Sequence, residues 1–244
     1  TFRETIKTLK YFSPDRITLL RYGHAPDVYK HQTLINFSDI PSEIEKTMMN
    51  LEAIKDLEEN GYERIGIDHL AKNTDELAQL KSEKMLTRGF IGYPGKTKNL
   101  LGMGPSGLSN LKNCYAQNTY GLPEYFKSVK NKLFPVFRGC LLDEDLIIRR
   151  DVINHILNYY QLDFSEIEKK HDIEFQSYFK RELGALSELV DDGLIELSDG
   201  SIIVSSMGES FLLNICRVFD RFQQKGMRAP KPSSKKDSRL KSTV

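Results

Sequence analysis

The sequence predicts an α/β chain: a short run of βα units and then a mostly helical, winged-helix-like domain. Three observations carry this. Up to about residue 78 the apolar pattern switches between helical and strand spacing. From Leu141 it becomes helical, with one hairpin signal, and the last nineteen residues lose apolar patterning altogether.

Phe2, Ile6 and Leu9 recur at helical spacing, Phe12 continues the stripe, and Ser13-Pro14-Asp15 breaks it. The chain starts inside this helix, so it is expected to be the C-terminal part of a longer polypeptide. "RITLLRYGH" (16–24) is an apolar run of strand length. Pro41-Ser42 introduces a helix to about Asn60, with Ile44, Met48, Leu51, Ile54 and Leu57 on one face, and Asn60-Gly61 stops it. "YERIGIDHL" (62–70) reads as a second strand. Helix, strand, helix and strand in steps of this size imply a parallel sheet. Such sheets are normally covered on both faces, so further strands are expected upstream.

Ligands of α/β folds sit beyond the carboxyl ends of the strands. Tyr22-Gly23-His24-Ala25-Pro26 is expected at the first such end and Asp68-His69-Leu70-Ala71-Lys72 at the second. A hydrogen-bonded structural histidine accounts for each as well as a functional one does. Further on, Gly102, Gly104 and Gly107 in "NLLGMGPSGLSN" match G-x-G-x-x-G. A dinucleotide site needs a full strand before that motif and a crossover helix after it. The approach "GFIGYPGKTKNLL" is rich in glycine and lysine, and the context argues against that reading.

Beyond Leu141, "LDEDLIIRRDVINHILNYY" reads as a helix N-capped by Asp143, "FSEIEKKHD" as a second and "FQSYFKRELGALSELVDDG" as a third. "LIEL" and "SIIV" around Ser198-Asp199-Gly200 form a hairpin, and "SSMGESFLLNICRVFDRF" closes the domain. Three helices and a hairpin raise a nucleic-acid reading. Residues 141–225, however, hold nine Lys and Arg against seventeen Asp and Glu, a net charge of −8. DNA affinity depends largely on cations that displace phosphate counterions, so no nucleic-acid partner is expected. Residues 226–244, with six cations and one Asp, are expected to form a basic disordered tail.

Composition is that of an ordinary soluble protein, 39% hydrophobic and 28% charged. No apolar run approaches the roughly 20 residues of a membrane span, and "TFRETIKTLK" has no signal-peptide pattern. A cytoplasmic location is expected. Cys114, Cys140 and Cys216 lie far apart and read as reduced thiols rather than metal ligands.

Five segments occur in an order that carries a resemblance: "IGIDHLAKNTDELA" (65–78), "LLGMGPSGLS" (100–109), "CYAQN" (114–118), "RGCLLDEDLIIRRDVI" (138–153) and "NICRVFD" (214–220). Together the chain resembles the C-terminal half of oxygen-independent coproporphyrinogen III oxidase, a radical S-adenosylmethionine enzyme family of haem biosynthesis. A haem-trafficking paralogue is the main competitor, but its Trp-containing segments have no counterpart in a chain without Trp. A winged-helix regulator joined to a degenerate α/β domain is a second rival, disfavoured by the acidity.

The resemblance implies a partial (β/α) barrel ending near residue 120, a helical cap domain over 121–225, and the tail. It implies S-adenosylmethionine and a [4Fe–4S] cluster whose C-x-x-x-C-x-x-C loop is absent from these residues. Radical chemistry would convert two propionates of coproporphyrinogen III to vinyl groups, giving protoporphyrinogen IX, with an electron donor as further partner and a monomer as the working state. Leu108 stands at the cofactor-contacting aliphatic position of G-x-S-x-[IL]-S. Gly23 replaces the alanine of Tyr-Ala-His-x-Pro, which keeps a backbone contact and loses a methyl. Gly104 would let the backbone approach the cofactor, and Pro105 suits the first turn of a short helix. "RGFIGYPG" departs from R-N-F-x-G-Y-T-T at Gly89 and Pro94-Gly95, removing side-chain hydrogen bonds. No catalytic residue is assigned. Arginine is the preferred bidentate partner for carboxylates, so Arg138, Arg149 and Arg150 are the candidates for the substrate's four. Helix-surface ion pairs with Asp145 and Asp151 are the competing role.

Overall fold

The computed structural model describes residues 1–90, 92–97 and 99–223, so the expected basic tail lies outside the described residues. The chain divides into two compact units, residues 1–87 and those from 88 onward. The boundary drawn from sequence at 120/121 therefore falls inside the second unit.

In the first unit, Phe2–Phe12 forms α1, opened by a capping box in which Thr1 and Glu4 satisfy each other's backbone N–H groups. Ile6 is buried as its spacing requires, but Phe12 is 73% exposed, outside the stripe. Strand β1 covers only Arg16–Thr18, since pairing ends well before His24. Helix α2 runs Glu43–Glu58 behind a Ser42–Glu45 capping box. Ile54 and Leu57 are buried, whereas Ile44, Met48 and Leu51 of the same stripe are exposed.

The expected second strand is in fact two, β2 (Tyr62–Ile65) and β3 (His69–Lys72), and α3 (Glu76–Ser82) follows. Gly66, at φ +63°, lets the chain reverse where an unbroken strand was expected. The sheet order is β1-β3-β2, and both pairings are antiparallel. This corrects the parallel sheet: β1 and β2 do run the same way, but β3 lies between them. Ile6, Ile17, Ala53, Leu57, Tyr62 and Leu70 form the core, and the Tyr62 hydroxyl donates to the Pro14 carbonyl at 2.6 Å. β3 is the described partner of β1. A groove of about 790 Å³ lies beside that strand, lined by Phe2, Leu9, Leu20, Ile40 and Met49 among others.

The second unit opens with a three-stranded antiparallel sheet, ordered β4 (Leu108–Leu111), β5 (Cys114–Asn118) and β6 (Val136–Leu141). Helix α4 (Leu122–Lys130) connects β5 to β6, with Pro123 in its first turn. Asp143 N-caps α5 (Glu144–Tyr159) as expected. Strand β7 (Gln161–Asp163) and α6 (Phe164–His171) follow. The expected third helix is three pieces: α7 (Phe175–Tyr178), α8 (Lys180–Ala185) and α9 (Ser187–Asp191). The breaks fall at Phe179 and Leu186, both fully buried, so packing overrides helix propensity there. Strands β8 (Ile195–Leu197) and β9 (Ser201–Val204) form the expected hairpin, and β7 adds to β9. Helix α10 (Leu212–Phe219) closes the unit. Phe164, Phe175, Phe179 and Phe219 pack in sequence at its centre, the first pair stacked and the last edge-on, with ring centroids 4.1, 4.7 and 5.5 Å apart in turn.

Candidate functional site

The glycine motif is a tight loop leading into β4, with no helix after it. That removes the crossover a dinucleotide site requires, and it corrects the short helix expected at Pro105 to a turn. A Cβ on Gly102 would lie 2.5 Å from the Leu108 nitrogen, and one on Gly107 would lie 2.9 Å from the Gly102 carbonyl carbon. These two glycines pack backbone on backbone. Gly104 differs: it sits at φ +90°, with nothing within 4 Å of its Cβ position. The glycine preference there is conformational, and the space beside it is open.

Side chains from outside the motif fix the loop. The Asn118 amide donates to the carbonyls of both Gly102 and Gly104, at 3.1 and 3.0 Å. Ser109 Oγ accepts from Gly102 N–H at 3.0 Å, and the Tyr125 hydroxyl accepts from Gly104 N–H at 3.1 Å. At the tip, the Met103 side chain stays 85% exposed.

Leu108, Gln117 and Arg138 form one cross-strand row over β4, β5 and β6, with Arg138 Nε donating to Gln117 Oε1 at 2.7 Å. Directly paired residues share a face, so Leu108 and Arg138 stand about 10 Å apart on one side of the sheet. Asn110, Tyr115 and Cys140 make the next row on that face. The Phe90 ring meets Tyr115 edge-on at 5.0 Å. Burial raises the Tyr115 hydroxyl above the usual phenol range, against the lowering effect of Arg150, which hydrogen-bonds it.

The three candidate arginines are thus separated. Arg138 is exposed on the sheet face, and Arg150 reaches its far end, also donating to the Lys112 carbonyl at 3.1 Å. Arg149 turns into the helical core: it pairs with Asp145 and Glu182, both at 2.8 Å, and donates to the Phe219 carbonyl at 3.1 Å.

In the first unit, Gly23 lies in an exposed loop after β1 with open space at its Cβ position. Gln32 clasps this loop, donating to the Gly23 carbonyl at 3.1 Å and accepting from Ala25 N–H. His24 meets the Tyr22 hydroxyl at 3.0 Å, and His69 meets Asp68 at 2.7 Å. Asp68 lies in the β2–β3 turn and His69 opens β3, so neither stands at the carboxyl end of a strand.

Among the described residues, no three His, Cys, Asp or Glu are placed to hold a metal, and no helix is long and apolar enough to cross a membrane. Cys114 and Cys140 occupy opposite faces of the β5–β6 pair, and Cys216 is buried. The residues present do not fit an iron–sulfur cluster.

The sequence reading missed Asn118, Ser109, Tyr125 and Tyr115. Three of them stood in the segments that carry the resemblance, but only as text, because their contacts arise from strand pairing.

No family model matches the chain. Oxygen-independent coproporphyrinogen III oxidase from Escherichia coli (strain K12) is 38% identical over 224 residues, covering 91% of this chain and 49% of that protein. The protein of that name from Thermostichus vulcanus is 34% identical over 226 residues, covering 92% of this chain and 70% of the relative. A solved structure of coproporphyrinogen III oxidase (HemN) from Escherichia coli, described as a radical SAM enzyme, matches with a TM-score of 0.85 at 37% identity, over 91% of this chain and 51% of that one. The α/β fold of small sheets and many helices is thus shared with a radical SAM enzyme. The chain belongs to the oxygen-independent coproporphyrinogen III oxidase family. It spans about half the length of the Escherichia coli relative.

Proposed function

We propose that this chain supplies the cofactor-facing glycine loop and the substrate-facing surface of an oxygen-independent coproporphyrinogen III oxidase. Its reaction is the oxidative decarboxylation of two propionates of coproporphyrinogen III to vinyl groups, giving protoporphyrinogen IX. The observation that carries this reading is the row Leu108–Gln117–Arg138, which puts the residue after the glycine loop and an exposed arginine on one sheet face.

S-adenosylmethionine, when bound, supplies the radical chemistry. The open space at Gly104 fits close approach of a ligand to the loop backbone, and Gly23, within the first unit, has open space of its own. Leu108 offers an aliphatic contact beside the loop. The tetrapyrrole is an apolar ring system bearing carboxylates, and the same face offers Phe90 and Tyr115 between Arg138 and Arg150. Arg138, with its solvated head, is the first choice for a propionate, and Arg150 is the second. Arg149 is already committed to Asp145 and Glu182, so it supports the cap rather than the substrate. No step is assigned to a cluster on these residues. Its ligands are expected in the part of the family's length that this chain does not span.

The apolar groove beside β1 suits further strands of a partial (β/α) barrel, and α5 to β9 suit a winged-helix-like cap. An acidic cap, a cytoplasmic location and a monomeric enzyme complete the reading. The relatives are named as oxidases, and nothing in the site favours the haem-carrier or DNA-binding alternatives.

The test is replacement. These residues are exchanged for the matching segment of the Escherichia coli relative, the cluster is reconstituted anaerobically, and coproporphyrinogen III turnover is followed by porphyrin fluorescence. Protoporphyrin formation is the expected result. Cleavage of S-adenosylmethionine without decarboxylation overturns the substrate assignment.

A further inference from the structure

We propose that Asn118 is the positioning residue of the glycine loop: its side chain holds the loop in the shape that takes the cofactor. The inference rests on the cofactor reading given above. Asn118 is 7% exposed, and its two amide hydrogens match the two carbonyls, of Gly102 and Gly104, that it reaches. Its own backbone N–H donates to the Gly107 carbonyl at 2.9 Å. One residue therefore touches all three glycines of the motif.

Strand alternation explains how a strand residue reaches a loop. Gln117 shares its face with Leu108 and Arg138, so the next residue, Asn118, falls on the opposite face, the one that carries the Ser109–Ala116 pair. The register shift at this point leaves its extra residue, Phe137, on β6, so the alternation of β5 runs through Asn118 unbroken. With both carbonyls drawn inward and the Gly102 and Gly104 N–H groups held by Ser109 and Tyr125, the loop has one shape, and Met103 and Ser106 are the exposed residues it leaves for contact.

Packing alone makes a different prediction from positioning by donated hydrogen bonds. Asn118→Asp keeps the size of the side chain but sets a carboxylate against two carbonyl oxygens. Protonation restores one donor, so the variant should recover at low pH.

The experiment is amide hydrogen exchange by NMR on the 244-residue chain, with and without saturating S-adenosylmethionine. Wild type, Asn118→Asp and Asn118→Ala are compared between about pH 7.5 and about pH 5 as protection relative to wild type. Tyr125→Phe runs in parallel, to show what loss of the other side-chain hold on Gly104 does to the same amides. In Asn118→Asp, the Gly102 and Gly104 amides should lose protection by about tenfold or more at the upper pH, from two lost buried hydrogen bonds. They should recover toward wild type at the lower pH, while Asn118→Ala stays loose throughout. The ligand-induced protection of Gly104 should fall and return in step. Unchanged loop protection in both variants overturns the inference and leaves the cofactor reading standing, as does a loss in Asn118→Asp that ignores pH. If the wild-type loop gains no protection from S-adenosylmethionine, the cofactor reading fails, while the unliganded arm still decides whether Asn118 sets the loop's shape.

Discussion

Arg149 and Arg150 are neighbours on α5, yet Arg149 pairs with buried Glu182 while Arg150 turns to the Lys112 carbonyl and Tyr115. Successive helical residues are about 100° apart around the axis, so the two heads cannot share one task.

Arg149→Ala is expected to cost about 3–5 kcal/mol of stability, because Glu182, 5% exposed, loses the guanidinium that neutralises it. Urea unfolding of the chain reads this directly. A loss under about 1 kcal/mol would mean that Glu182 is neutralised some other way.

Arg138→Ala should leave stability nearly unchanged, because its hydrogen bond to Gln117 is exposed. Binding of coproporphyrin III, measured by fluorescence titration at two salt concentrations, should weaken by about tenfold or more if the arginine meets a desolvated carboxylate. Equal affinity for wild type and variant would move the substrate carboxylates to another face.

Gly102→Ala should destabilise the chain more than Gly104→Ala. The first places a methyl 2.5 Å from a backbone nitrogen, whereas the second meets only the cost of a positive φ in open space. Thermal melts of the two variants give the order. In a polypeptide that includes the cluster loop, Gly104→Val should weaken S-adenosylmethionine binding and leave the cluster spectrum unchanged.

Burial pushes the Cys216 thiol from an ordinary value near 9 up to about 12. The folded state therefore binds this proton more tightly than the unfolded state does. The associated stability is complete below about pH 9 and is lost as pH rises toward 12, by about 4 kcal/mol at most. At neutral pH a thiol reagent should modify the half-buried Cys114 and Cys140 in the native protein, and Cys216 only after denaturation. Three equally fast thiols would contradict the burial.

Anaerobic treatment of the 244-residue chain with iron and sulfide should give no stable [4Fe–4S] absorbance. The motif's usual complement is four thiolates, or three and an external ligand, and Cys114 and Cys140 face opposite ways. A persistent cluster spectrum would sink that expectation.

Helices α2 and α5 were legible from their caps, Ser42 with Glu45 and Asp143, whereas α3 went unread behind its Asp75 cap. The parallel sheet was misread because one glycine, Gly66, turns a nine-residue run of strand length into a hairpin, and apolar periodicity does not register a reversal. The β4–β5–β6 sheet gave little signal, as its short strands are mostly half-exposed and β6 is almost wholly exposed. Leu108, Gly104 and Arg138 were legible as candidates from motif and residue type. Asn118 was not, since its role depends on a strand register that only pairing reveals. Sequence showed that Arg149 and Arg150 diverge, but not which of them turns inward.

Strand β1 meets β3 across most of the first unit, with Arg16 opposite Ala71. The β2–β3 hairpin and α2 assemble from near neighbours, whereas β1 must close a loop of more than fifty residues, so its arrival is the slow, topology-limited event of this unit. A protease nick in the exposed stretch between α1–β1 and α2 would make that closure bimolecular. The α1–β1 piece would then become a detachable part whose return depends on concentration, and the unit would be open to assembly from two separately made peptides.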